Sequence, residues 1–91
     1  MELRKHPEQS RFELVRDSEV IGLIDYVELG DVWDLPHTWV DPVYRGRGLS
    51  QRLIEFALED ARAAGVSVRP TCPAIAQYIA KHDAYADLVE K

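Results

Sequence analysis

Val40-Asp41-Pro42-Val43-Tyr44-Arg45-Gly46-Arg47-Gly48-Leu49-Ser50 carries the residue types of an anion site. The stretch reads as the end of an apolar strand, a loop with two glycines, and the start of a helix. That helix carries Leu49, Leu53, Phe56 and Ala57 on one side. The first amides of a helix lack intrahelical acceptors, and the helix dipole adds partial positive charge around them. Gly46 and Gly48 permit positive φ and close approach of a ligand. Arg45 and Arg47 add countercharge, so a pyrophosphate is a natural guest. No Lys-Ser/Thr follows the second glycine, which excludes a Walker loop, and no G-x-G-x-x-G is present. What remains is Arg45-x-x-Gly48-x-Ser50. The plain alternative is a loop that only ends a strand and starts a surface helix.

Other reactive side chains are few. Cys72 precedes Pro73, which opens a second predicted helix. A thiol at a helix N-terminus has a lowered pKa and gains nucleophilicity. Such a thiolate can form a covalent intermediate. The competing reading is a buried small hydrophobe. His37 alternates with Trp33, Leu35 and Trp39 and is expected on their sheet face, as a general base or as a core imidazole. His82 lies on the apolar stripe of the second helix and is expected to pin it. His6 gets no role. Three scattered histidines without metal-ligand spacing do not argue for zinc. Trp33, Trp39 and Tyr78 read as packing residues.

These residues need a scaffold. Phe12 to Arg16 alternates apolar and charged residues and predicts a strand, with Asp17-Ser18 as the turn. Glu19 to Leu29 is apolar on both alternating faces, which predicts a central strand covered on both sides. Gly30-Asp31 signals a hairpin into a third strand, Val32 to Val40, where Pro36 demands a bulge or an edge register. Ser50 to Ala64 is a predicted helix stopped by Gly65. Val66 to Arg69 is a short fourth strand. Pro73 starts a helix with Ile75, Tyr78, Ile79 and His82 on one stripe, and a last turn packs Tyr85 and Leu88. Met1 to Gln9 is polar and is expected to fray. The order is an α+β fold: an antiparallel three-stranded meander, then a right-handed βαβ crossover and a C-terminal helix.

With 91 residues the chain makes one domain, 1–91, and a small core. A net charge of −5 disfavours nucleic acid, which wants a basic face. No apolar run approaches the ~20 residues of a membrane span, and no signal-peptide pattern opens the chain. The single cysteine fits a reducing cytoplasm.

Arg45-x-x-Gly48-x-Ser50 resembles the R/Q-x-x-G-x-G/A motif of the GNAT acyltransferase superfamily, with Ser50 where Gly or Ala is usual. Three further segments are similar to one small subgroup of minimal predicted N-acetyltransferases. His37-Thr38-Trp39-Val40 is similar to its H-T-x-V strand, and Pro70-Thr71-Cys72 to its P-x-C stretch. Tyr78 to Leu88 resembles its Y-I-x-x-H-P-E-Y-x-D-L ending, with Asp83-Ala84 replacing Pro-Glu. The matches run from Ile21 to Leu88, in order.

The resemblance implies a GNAT-like fold without the helical pair usual between the first two strands. Asp17-Ser18 leaves no room for that pair. It implies acetyl-CoA as cosubstrate, its pyrophosphate on Arg45, Gly46, Arg47, Gly48, Leu49 and Ser50. Its pantetheine arm would lie in a V between the third and fourth strands, against the Trp39, Val40 and Asp41 backbone. It implies Tyr85 near the place of a tyrosine that protonates the departing thiolate. Cys72, His37 and Tyr85 are thus the candidate catalytic residues. The expected function is acetyl transfer to an amine on a protein or small molecule. The alternative is a coenzyme-A-binding or protein-interaction module with little turnover, and a third, weaker reading is a purely structural domain.

Overall fold

The computed structural model describes residues 1–91. Five strands form one sheet in chain order: β1 (Glu2–His6), β2 (Arg11–Arg16), β3 (Glu19–Leu29), β4 (Val32–Val40) and β5 (Ser67–Arg69). The first four pair antiparallel, and β5 pairs parallel to β4 after the crossover helix α1 (Leu49–Ala64). Helix α2 (Pro73–Lys81) and a 3-10 turn over Asp83–Leu88 complete the chain. The α+β sheet with its βαβ crossover is as the sequence predicts.

The N-terminus departs from expectation. Met1 to Gln9 does not fray: Glu2–His6 makes a full register with β2, so the meander has four strands. Two side chains anchor it. Leu3 packs against the core. Lys5 Nζ lies 2.8 Å from Asp60 Oδ2 on α1 and 4.5 Å from the Trp33 ring centroid. An ammonium over aromatic faces gains both packing and charge–quadrupole attraction. The connection that holds no helical pair is therefore the 3-10 turn Pro7–Gln9 between β1 and β2. Asp17-Ser18, both at positive φ, instead closes the β2–β3 hairpin.

Cross-strand partners share a sheet face. Phe12 faces Ile24, Ile24 faces Thr38, Leu14 faces Gly22, and Gly22 faces Val40. This side carries the core, into which α1 sends Leu49, Leu53, Ile54, Ala57, Leu58 and Ala61. Ile75, Tyr78 and Ile79 of α2 join the same cluster. The other face carries Glu13, Leu23 and Trp39, again as successive partners. No helix covers it, and Val27 and Leu29 at the far end of β3 are about half exposed. The expectation that β3 is covered on both sides is thus corrected: helices pack on one face only.

Two register shifts decide which residues face inward. Opposite Leu14/Val15, Ile21 has no partner, and this bulge residue is fully buried. Between Asp25 and Val27, Tyr26 faces both Leu35 and Pro36. Pro36 falls in that irregularity, where no ladder donor is needed. The extra residue inverts the alternation of β4. Trp33 and Leu35 are buried on the helix side, whereas His37 and Trp39 point to the open face.

Candidate active site

Strand β5 pairs with β4 only from Val32 to Asp34. Beyond that, the one backbone hydrogen bond between the two segments runs from the Cys72 N–H to the Leu35 carbonyl at 3.0 Å. From Pro36 to Val40 the edge of β4 then has no strand partner, and a V opens between the two strands. A cavity of about 230 Å³ sits at its mouth. Thr38 and Val40 of β4, Tyr44 to Gly46, Gly48 to Ser50, and Ala74 of α2 line it.

The loop leaves a run of backbone amides open. Asp41 starts it: its carboxylate accepts from the Val43 N–H at 3.0 Å and its carbonyl from the Tyr44 N–H at 2.8 Å. Gly46 and Gly48 take φ of 80° and 72°. A Cβ on Gly46 would meet no protein atom within 4 Å. The amides from Gly46 to Gln51 have no hydrogen-bond partner, and the first bond of α1 runs from the Arg52 N–H to the Gly48 carbonyl. Backbone N–H groups converging at alternating helical and left-handed residues form an anion nest. The N-terminus of α2 opens on the same cavity through Ala74. The residues present therefore fit a pyrophosphate.

The structure brings together most of the expected binding residues, but not all. Val40, Arg45, Gly46, Gly48, Leu49 and Ser50 line the cavity. Trp39 and Asp41 do not. The Asp41 N–H is already donated to the Ile21 carbonyl at 2.8 Å, and by the two-residue period Trp39 also turns its backbone toward β3. The groove-facing backbone belongs to Thr38 and Val40. Arg47 stands outside the lining, its guanidinium 5.7 Å from the Tyr44 ring centroid. Thr38, Tyr44 and Ala74 were missed as site residues, although Thr38 lies inside the H-T-x-V match.

Cys72 caps α2 and is nearly buried just beneath the cavity. Its thiol donates to Thr38 Oγ1 at 3.5 Å. Burial opposes its ionisation, but Thr38 and the Ile75 and Ala74 amides outweigh burial and pull the thiol below its ordinary value. His37 is exposed on the open face, not in the core and not beside Trp33 and Leu35. Tyr85 is buried away from the cavity and donates to Glu59 Oε2 at 2.6 Å. That hydrogen bond, with burial, pushes the phenol well above its ordinary value. Glu59 stands nine residues beyond Ser50, roughly 13 Å along α1. Tyr85 is therefore held away from the groove where a departing thiolate would lie. His82 donates to the Tyr78 carbonyl at 2.7 Å and stacks on the Tyr78 ring, which pins the end of α2 as expected.

A family model described as GCN5-related N-acetyl-transferase matches residues 11–88. No curated protein matches the chain. Among solved structures, the fold is similar to a GCN5-like putative N-acetyltransferase from Staphylococcus aureus. The TM-score is 0.76 at 20% identity, over 98% of this chain and 87% of that one. It is also similar to the ribosomal-protein-S18-alanine N-acetyltransferase from Escherichia coli, with TM-score 0.65 and 21% identity. That match covers 78% of this chain but only 49% of the longer enzyme. An aminoglycoside N-acetyltransferase in complex with CoA matches with TM-score 0.55 and 22% identity, over 89% of this chain and 67% of that one. These likenesses establish the fold. No helix is long and apolar enough to cross a membrane.

Proposed function

This chain belongs to the GCN5-related N-acetyltransferase family, and we propose that it moves the acetyl group of acetyl-CoA to an amine in the cytoplasm. The observation that carries this reading is the run of unpartnered amides from Gly46 to Gln51 at the mouth of the V. The pyrophosphate takes those amides, and the pantetheine arm runs along the unpaired edge of β4. The thioester then lies toward Thr38. There the neutral amine attacks the carbonyl carbon, a C–N bond forms, the C–S bond breaks, and coenzyme A leaves as a thiolate. The amine's surplus proton goes to solvent. A thiol leaving group with a pKa near 8.5 barely needs an acid, which agrees with a Tyr85 that is otherwise engaged. The structural neighbours are named for a ribosomal-protein alanine and for aminoglycosides, so the fold accommodates acceptors of very different size.

A coenzyme-A-binding module with little turnover is the second reading. The uncovered sheet face and the remote Tyr85 favour it. Turnover separates the two: acetyl-CoA consumption that rises with an added amine supports the enzyme, and tight binding without it supports the module.

Two results are expected of the candidate catalytic residues. Cys72 lies outside the cavity lining, so direct transfer to the amine is favoured. Protein held with acetyl-CoA and no acceptor should gain no acetyl mass, and Cys72→Ala should keep turnover within about threefold. An acetyl adduct that disappears in Cys72→Ala would establish the two-step route instead, for which the depressed thiol is suited. The pH profile of kcat/KM tests His37. With His37 as base, His37→Gln should move the rise of the profile up toward the amine's own pKa. Superimposed profiles would leave His37 a surface residue of the open face.

A further inference from the structure

Of the two arginines of the loop, Arg45 is tied back to β4. Arg45 Nε donates to the Val40 carbonyl at 3.1 Å. That carbonyl is the groove-facing acceptor at the end of β4, because the neighbouring Asp41 amide is turned to β3. Arg45 also lines the cavity, so its stem occupies the path of any extended chain adding to β4 there. Its terminal nitrogens have no partner in the fold, and the open space at Gly46 is one residue away.

We propose that Arg45 is a latch that makes the groove selective for thioesters carrying a phosphate. The inference rests on acetyl-CoA being the donor. With the groove free, the guanidinium is parked on Val40. A ligand with a pyrophosphate at the Gly46–Gln51 amides draws the guanidinium to itself and so frees the carbonyl. A thioester that lacks phosphates must break the Arg45–Val40 bond with nothing in return. Its apparent affinity is reduced by the fraction of molecules in which the latch is open. Arg45 is thus a specificity residue acting on the donor, with opposite effects on the two ligand types. A net hydrogen bond of ordinary strength corresponds to roughly three- to tenfold in binding.

The experiment compares Kd for acetyl-CoA and for acetyl-pantetheine in wild type, Arg45→Ala and Arg47→Ala. Arg45→Ala should bind acetyl-pantetheine about three- to tenfold more tightly and acetyl-CoA more weakly. Arg47→Ala should leave acetyl-pantetheine unchanged. Unchanged acetyl-pantetheine binding in Arg45→Ala would mean that the arginine only neutralises phosphate. Weaker binding of both ligands would mean that it only positions the loop. Either result overturns the latch. Hydrogen exchange of the Arg45 Nε–H reads the latch without any ligand: it should be slower than that of Arg47 in the free protein, and equal rates overturn the proposal. If wild type binds neither thioester while this Nε–H is protected, the donor assignment fails and the Arg45–Val40 contact stands.

Discussion

Acetyl-CoA at about one hundred times its Kd should stabilise the fold by about 2.7 kcal/mol. In a domain of this size each kcal/mol moves Tm by about 4–8 °C, so the melting temperature should rise by roughly 10–20 °C. Gly48→Val should abolish the rise. Gly48 caps α1 at φ 72°, where a β-branched residue costs about 1–2 kcal/mol. The variant should therefore melt lower than wild type but still cooperatively. No protein atom other than Gln51 Oε1, at 3.6 Å, comes near the added Cβ, so the fold has space for it. The phosphate does not, because the added side chain takes up space in the cavity that Gly48 lines, beside the unpartnered amides. Gly65→Val is the control: its φ of 73° is similar and it closes the far end of α1. It should lose similar stability and keep the ligand shift. Equal ligand shifts in wild type and Gly48→Val would place the anion elsewhere.

The second large effect is expected at Glu13. Its side chain is 1% exposed, yet it lies on the face that no helix covers. Arg11 Nε at 2.6 Å and Arg4 Nε at 2.9 Å close over it. Burial pushes the carboxyl up, but the hydrogen bonds and charges of Arg11 and Arg4 outweigh it, so Glu13 titrates below its ordinary 4.5. Removing one partner of a fully buried pair costs about 3–5 kcal/mol. Both arginines keep partial hydration, and Glu13→Gln retains one acceptor, so about 2 kcal/mol is expected here.

The pH dependence has a definite sign. A carboxyl with a depressed folded value contributes stability that is complete above its unfolded value, near 4.5, and is lost as pH falls through the lower folded one. Urea midpoints for wild type and Glu13→Gln should differ by a constant amount from pH 7 down to about 4.5 and converge below it. A gap that persists undiminished at pH 3, or is absent at pH 7, would remove the ion triad from the stability of the fold.

Glu13 also marks where local pattern loses its hold. The alternation of Phe12 to Arg16 puts Glu13 opposite the core and so reads it as solvated. It is buried because Arg4 arrives from β1, a strand with no apolar alternation of its own. That strand exists because Lys5 reaches Asp60 and the Trp33 ring, fifty-five and twenty-eight residues away in the chain. Such contacts leave no period in a window of five residues.

The elements whose signals are local were legible in the sequence. Apolar spacing and Gly65 specify α1, Pro73 opens α2, and Gly30-Asp31 turns the β3–β4 hairpin, since backbone sterics and helix periodicity act within a few residues. The anion loop belongs with them: its two glycines and the helix start that exposes its amides are adjacent in the chain. Only the tertiary structure decided which way β4 presents its side chains. One extra residue at Leu35/Pro36 carries His37 and Trp39 from the helix side to the open side, because strand alternation has a period of two and a single insertion inverts all that follows. The same is true of Tyr85, whose sequence match put it near a leaving group and whose hydroxyl is instead held by Glu59 on α1. Strand register and long-range hydrogen bonding are set by partners that no short stretch of sequence contains.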